Sequence, residues 1–121
     1  MSTSATKYST NDVKLRKSEE NAGMFYLPLS DTAEGTCDFV LYPQAGSPTV
    51  MSLNHVIVPK EFGGKGLAQI LCAKAFDFAK QNKYKIYPQC PYVRDRYVPT
   101  LQLKEDIELV TNTNPALKSG L

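Results

Sequence analysis

Val50-Met51-Ser52-Leu53-Asn54-His55-Val56-Ile57-Val58-Pro59 runs without a break into Lys60-Glu61-Phe62-Gly63-Gly64-Lys65-Gly66-Leu67-Ala68. The first part is apolar at Val50, Met51, Leu53, Val56, Ile57 and Val58, rich in β-formers, and stopped by Pro59, which predicts a strand over residues 49–58. Alternation along that strand puts His55 on the face shared by Leu53 and Ile57. After the glycines the period changes. At 100° per residue Leu67, Leu71, Ala75 and Phe78 fall on one side, flanked by Ala68, Cys72 and Ala79, with Gln69, Ala73, Asp77 and Lys80 opposite. This predicts a helix over residues 64–81, ending near Asn82.

A strand, a glycine cluster and a helix in that order have two readings. Glycines let a ligand approach the backbone, and a helix start offers free N–H groups with roughly half a positive charge, an arrangement suited to phosphate. The same order also serves as an ordinary strand-to-helix turn. Three glycines among residues 63–66 each lower helix propensity by about 1 kcal/mol against alanine, so they do not favour helix there. Two common phosphate signatures are absent: Gly66 rather than Ser or Thr follows Lys65, and Gln69 stands where the dinucleotide fingerprint needs glycine.

Working outward, residues 24–29 and 36–42 read as two further strands ended by Pro28 and Pro43, and Gln44-Ala45-Gly46-Ser47-Pro48 reads as a hairpin loop. Downstream, residues 84–87 form a fourth strand ended by Pro88, and Pro91 opens a short helix over residues 92–97. Residues 104–110 read as either helix or strand. The expected fold is α+β, a mixed, mostly antiparallel sheet with one long and one short helix. Residues 1–22 are polar and read as a flexible tail, residues 23–111 as a single domain, and residues 112–121 as a second tail.

The 121 residues suit one domain, and 42% hydrophobic with 21% charged residues excludes wholesale disorder. No apolar run is long enough to cross a bilayer. Cys37, Cys72 and Cys90 are odd in number with no paired spacing, which argues against a disulfide framework or zinc site; a single histidine excludes a multi-histidine centre, so no metal is expected. A reducing, intracellular setting, cytoplasmic or nuclear, is expected. Net charge is only +2, but residues 60–97 carry eight bases against three acids, whereas residues 24–59 carry three acids and no Lys or Arg. The basic stretch is either a solvated surface or a field that favours an anion. It lacks interleaved aromatics, so nucleic acid fits it poorly.

The stretches His55-Val56-Ile57-Val58-Pro59, Gly64-Lys65-Gly66-Leu67-Ala68 and Cys90-Pro91-Tyr92-Val93 give residues 51–98 a resemblance to the acetyl-CoA-dependent N-acetyltransferase superfamily (GNAT), and to its minimal branch in particular. The resemblance extends more weakly back to Phe25. It implies acetyl-CoA or CoA as cofactor, a sheet splayed open beside the glycine loop, and a pantetheine arm paired with the backbone of Val56, Ile57 and Val58. The pyrophosphate would rest on the N–H groups of Gly63, Gly64, Lys65, Gly66, Leu67 and Ala68, with Lys65 and Lys60 either facing phosphates or standing as plain surface lysines. Arg94 or Arg96 would bind the adenosine phosphates or stay solvated. The chain departs from the family at Gly63, where Arg or Gln usually leads the loop, and at Ile57, where related short sequences often carry Glu.

Acetyl transfer to an amine needs a proton acceptor, an oxyanion donor and an acid for the departing thiolate. His55 is the candidate base, imidazole being the side chain that ordinarily titrates nearest neutrality; a hydrogen-bonded sheet histidine is the plainer alternative. Cys90 precedes Pro91 at a helix start with Arg94 one turn on, a setting that favours thiolate, so it is a candidate nucleophile or a lining of the pantetheine channel; an inert buried thiol is the alternative. Tyr92, ahead of Tyr97, is the candidate phenol, and packing is the alternative for both. Cys72 and Cys37 read as core. The expected function is acetyl transfer from acetyl-CoA to an unidentified amine on a small molecule or protein. The alternative is a non-catalytic CoA-binding, acyl-CoA-binding or protein-interaction module.

Overall fold

The computed structural model describes residues 8–118. Five strands, β1 (Lys14–Glu19), β2 (Ala22–Pro28), β3 (Glu34–Gln44), β4 (Ser47–Ile57) and β5 (Lys85–Pro88), form one sheet in sequence order. The first four pair antiparallel and β4 pairs parallel with β5. A parallel neighbour needs a crossover. That crossover is α1 (Leu67–Asn82), which lies against the sheet and buries Leu67, Leu71, Cys72, Ala75, Phe76 and Ala79. The strands answer from the same face with Phe25, Leu27, Cys37, Phe39, Met51 and Leu53. Phe25, Phe39 and Phe78 form a ring cluster with centroids 5.2–6.1 Å apart.

The α+β expectation holds, with shifted boundaries. The hairpin turn between β3 and β4 is tighter than the loop read from sequence: Gln44 pairs with Ser47 across Ala45 and Gly46, and Gly46 takes φ 74°. Helix α1 begins at Leu67 rather than Gly64, because Gly64 and Gly66 adopt left-handed backbone (φ 74° and 75°) that no helix tolerates. It also buries Phe76, outside the apolar stripe read from sequence, because residues 91–100 coil over that side and bring Tyr97 to 5.3 Å from its ring.

The reading of residues 1–22 as a tail is overturned from Ser9 onward. Thr10–Asp12 make a 3₁₀ turn with a Ser9/Asp12 capping box, Val13 enters the core, and β1 follows. All six residues of β1 are exposed, so the strand has no apolar pattern to betray it and is held by its ladder to β2. Charged side chains on such an edge also discourage pairing with other chains. Residues 1–7 lie outside the described residues, as do 119–121. In the stretch read as a C-terminal tail, Pro115–Lys118 form a helical turn.

Residues 104–110 use both of their possible readings. Lys104–Ile107 form α2, and Val110 then bridges Ile86, closing the outer edge of β5 through Ile86 N–H to Leu109 O and Thr111 N–H to Ile86 O, both 2.8 Å. Lys80 of α1 ties this segment down, its Nζ 2.8 Å from Asp106 and 3.5 Å from Glu105.

The sheet leaves no room at Gly23. A Cβ there would stand 2.8 Å from the Phe39 ring and 3.1 Å from the Arg16 carbonyl, and Phe39 is wedged between Phe25 and Phe78. Gly23→Ala is therefore expected to destabilise the fold by about 1–3 kcal/mol, the usual range for overpacking. A thermal or urea melt unchanged from wild type would contradict this packing.

Candidate functional site

The site starts where β4 and β5 separate. Their ladder ends at Leu53 opposite Pro88, which has no N–H to continue it. The chain then turns, and the Cys90 N–H takes the Leu53 carbonyl at 2.8 Å. Past this point β4 keeps its β3 partner as far as Ile57 opposite Thr36, while among the described residues no strand lies beside its other edge over residues 54–57.

A bulge sits at the same place. Phe39 pairs with Leu53 and Asp38 with His55, so Asn54 is an extra residue, with Ser52 Oγ 2.6 Å from its Oδ1. The extra residue reverses the alternation. His55 and Ile57 therefore do not share a face with buried Leu53, as regular alternation predicts; they lie on the opposite face, where the Ile57 residue is 58% and the His55 side chain 68% exposed. There His55 Nδ1 lies 3.1 Å from both carboxylate oxygens of Asp38.

Beyond β4 the chain makes a 3₁₀ turn over Lys60–Phe62, with Gly63 N–H bonded to Lys60 O at 3.0 Å, and enters the two left-handed glycines. The first bond of α1 is Ile70 N–H to Gly66 O. The amides of Leu67, Ala68 and Gln69 precede it, and no side chain caps them. They border a groove of about 450 Å³, lined from the turn by Phe62, Gly63, Gly64 and Gly66 and from the helix by Leu67, Ala68 and Gln69. Val58 and, across the gap, Tyr92 and Arg96 complete it.

The groove thus gathers Val58, Gly63, Gly64, Gly66, Leu67, Ala68 and Tyr92 from the residues singled out in the sequence. Val56, Ile57, Lys65, His55 and Cys90 are not among its lining residues. Neither is Arg94, whose exposed guanidinium forks onto Asp95 at 3.0 and 3.2 Å. Arg96 occupies the groove instead, four residues after Tyr92 on the same side of the π-helical turn Val93–Tyr97. Burial, helped by the nearby Cys72 thiol, raises the Tyr92 phenol above its ordinary range, and Tyr97 further still. Burial also pushes the Cys72 thiol up to about 12, and Cys37 well above its usual value, as suits core thiols. Cys90 is 6% exposed beside the point of separation.

Asp38, Gln69 and the Asn54 bulge escaped the sequence reading. A signal for the bulge exists: Met51, Leu53, Val56 and Val58 are spaced two, three and two apart, so the apolar period slips by one residue at Asn54.

An unpaired strand edge leading to free helix-start amides, with an arginine across the gap, fits an extended ligand that has amide groups at one end and phosphates at the other. No helix among the described residues is long and apolar enough to cross a membrane. Comparison with known proteins agrees with this architecture. The chain is 35% identical over 69 residues to Protein NATD1 of Xenopus tropicalis, an alignment covering 57% of the chain and 62% of that protein. In fold it is similar to the crystal structure of ribosomal-protein-alanine N-acetyltransferase from Brucella melitensis biovar Abortus 2308, with a TM-score of 0.54, 18% identity, and 72% of this chain and 67% of that chain covered. Residues 24–102, from Met24 of β2 through β5 with α1 and the coil after it, match the family model described as GCN5-related N-acetyl-transferase, and the chain belongs to that family.

Proposed function

We propose that the chain binds acetyl-CoA along the parted edge of β4 and transfers the acetyl group to an amine. The observation that carries this is the separation of β4 from β5 past Leu53, which leaves one strand edge unpaired directly ahead of the groove. The backbone groups of Val56, Ile57 and Val58 would pair with the pantetheine amides, as an added strand would. The amides of Leu67, Ala68 and Gln69 would receive the pyrophosphate, the Gly63 N–H being already bonded to Lys60 O, with Arg96 rather than Arg94 supplying the charge opposite. Bound there, the cofactor supplies an activated acetyl thioester.

The chain's own groups have distinct tasks in this reading. His55, on the open face, accepts a proton from the incoming amine. Tyr92 keeps its proton on Oη at neutral pH, since burial raises its phenol, and so donates at the thiolate end. Cys90, buried beside the last paired residue of β4, is the thiol set to receive an acyl group or to shape the channel end. A second reading, a binding module without turnover, draws on one observation: among the described residues, Tyr92 and Arg96 are the only titratable side chains lining the groove.

Millimolar acetyl-CoA is expected to raise the melting temperature, since a ligand at 100 times its Kd adds about 2.7 kcal/mol to stability. Gly66→Val should abolish this shift, as a β-branched residue at φ 75° costs roughly 1–2 kcal/mol in strain and fills the backbone approach. An absent shift with the wild-type chain sinks both the enzymatic and the binding-module readings. Free thiol released from acetyl-CoA with an amine panel separates them: binding without release leaves only the module.

Arg96→Ala should weaken CoA binding about tenfold, the loss of one charge-assisted hydrogen bond, whereas Arg94→Ala should leave it within twofold. Equal losses in calorimetry would return Arg94 to the phosphate site. For the chemistry, Tyr92→Phe should lower kcat by about 100-fold with little change in KM. Intact mass after acetyl-CoA exposure should show one acetyl group on the wild type and none on Cys90→Ala. A wild-type chain without the adduct would leave Cys90 as a channel lining only.

A further inference from the structure

We propose that Asp38 is a positioning residue for His55: its carboxylate holds the proton of the imidazole on Nδ1 and keeps Nε2 bare toward the open face of the sheet, as a base for the acceptor amine. The inference rests on the acetyltransferase reading and adds a residue and a tautomer to it.

Three observations on separate parts of the chain meet in this pair. The first is covalent register. In a regular strand, with no bulge at Asn54, His55 would point into the core with Leu53; the bulge turns it outward, and it does so at the residue directly after the β4/β5 ladder ends. A bulge forfeits regular pairing, and bulges commonly serve to re-aim a side chain beside a site. The Ser52 hydroxyl, 4% exposed, is 2.6 Å from Asn54 Oδ1 and holds the bulge in shape.

The second is geometry. The re-aimed ring meets Asp38 on β3, its register partner, with Nδ1 3.1 Å from both Oδ1 and Oδ2. An ionised carboxylate only accepts hydrogen bonds, so the shared proton belongs to Nδ1, and in the neutral ring Nε2 then carries a lone pair. The His55 side chain is 68% exposed, which leaves that nitrogen open to a substrate.

The third is the absence of competition for Asp38. Arg16 of β1, in register with Asp38 through Met24, is engaged elsewhere: it pairs with Glu34 and stacks over Tyr26 with its guanidinium carbon 4.3 Å from the ring centroid. Asp38 therefore serves His55. The proton step balances simply. An N–H bond of the acceptor ammonium breaks, an Nε2–H bond forms, and the positive charge moves to the imidazolium facing Asp38, which frees the amine lone pair.

His55 is the sole histidine of the chain, so its ring nitrogens give unambiguous ¹⁵N signals. With the ring neutral at alkaline pH, the wild type should show a protonated Nδ1 and a bare Nε2. In Asp38→Asn, whose amide can itself donate to Nδ1, the protonated-Nδ1 signature should fall and the Nε2–H form appear. In thiol release from acetyl-CoA, with a short peptide carrying a free α-amine and one lysine, His55→Gln should lose about 100-fold in kcat and Asp38→Asn about tenfold. The KM for acetyl-CoA and the calorimetric Kd for CoA should be unchanged in both.

A wild-type ring protonated on Nε2, or a ¹⁵N pattern indifferent to Asp38→Asn, overturns the proposal. So does full turnover by His55→Gln, which leaves the acetyltransferase reading standing without this pair. A wild-type chain that binds CoA but acetylates nothing defeats the acetyltransferase reading, and the base with it.

Discussion

A single hydrogen bond closes the last paired position of β4 and β5: the Cys90 N–H on the Leu53 carbonyl. Parallel strands gain a bond at each further residue, so a ladder left to itself would lengthen. Pro88 prevents this by lacking an N–H, and the turn through Gln89 brings Cys90 to satisfy the one carbonyl that would otherwise be orphaned beside the core. The separation is therefore stable rather than frayed. The far edge of β4 remains anchored by β3, so residues 54–57 stay extended with one row of backbone groups available. An open edge of this kind is usually a hazard, because it invites other strands. Here residues 91–100 and the glycine turn flank it and restrict what can approach to something narrow.

The turn that ends β4 completes that restriction. Its two left-handed glycines let the chain reverse without a side chain over the first turn of α1, and Gly66 caps the helix with no oxygen of its own to occupy the amides. A serine or aspartate at that position would offer a side-chain oxygen to the first amides and cover them. The helix start is thus left less stable than it could be, and the balance is restored by α1 burying six residues against the sheet.

Much of the fold is legible in the sequence because prolines and glycines punctuate it. Pro59, Pro88 and Pro91 mark real boundaries, and the 3.6-residue period of α1 is clear. The features that escape do so for physical reasons. β1 carries no alternation, since both its faces are solvated and it is held by its ladder to β2 and by Arg16 on Glu34 and Tyr26. The bulge at Asn54 is masked because Val56, Ile57 and Val58 are all apolar, so a slipped register looks as good as a regular one. Arg94 and Arg96 differ only by which side of a π-helical turn they occupy, and a π turn gives no pattern in five residues. The glycine turn borders the groove through local backbone chemistry, whereas the side on which His55 lies depends on a register that only the sheet fixes.

The segment after the bulge then has four directions in use at once. One edge is paired with β3, and the other is open toward the groove. Val56 turns to the packed side with Cys37, while His55 and Ile57 turn to the exposed side. For a two-substrate reaction this is an economical arrangement: a cofactor approaching the edge and an acceptor approaching the face meet at one strand without crossing paths. It also explains why the departure at Ile57 is compatible with chemistry. A carboxylate there would be exposed and nearly as solvated as in water, a weak base with no neighbour to tune it. In the proposed reaction a histidine two residues earlier, turned outward by the bulge and facing a carboxylate on the adjacent strand, would take that task closer to the point where the strands part.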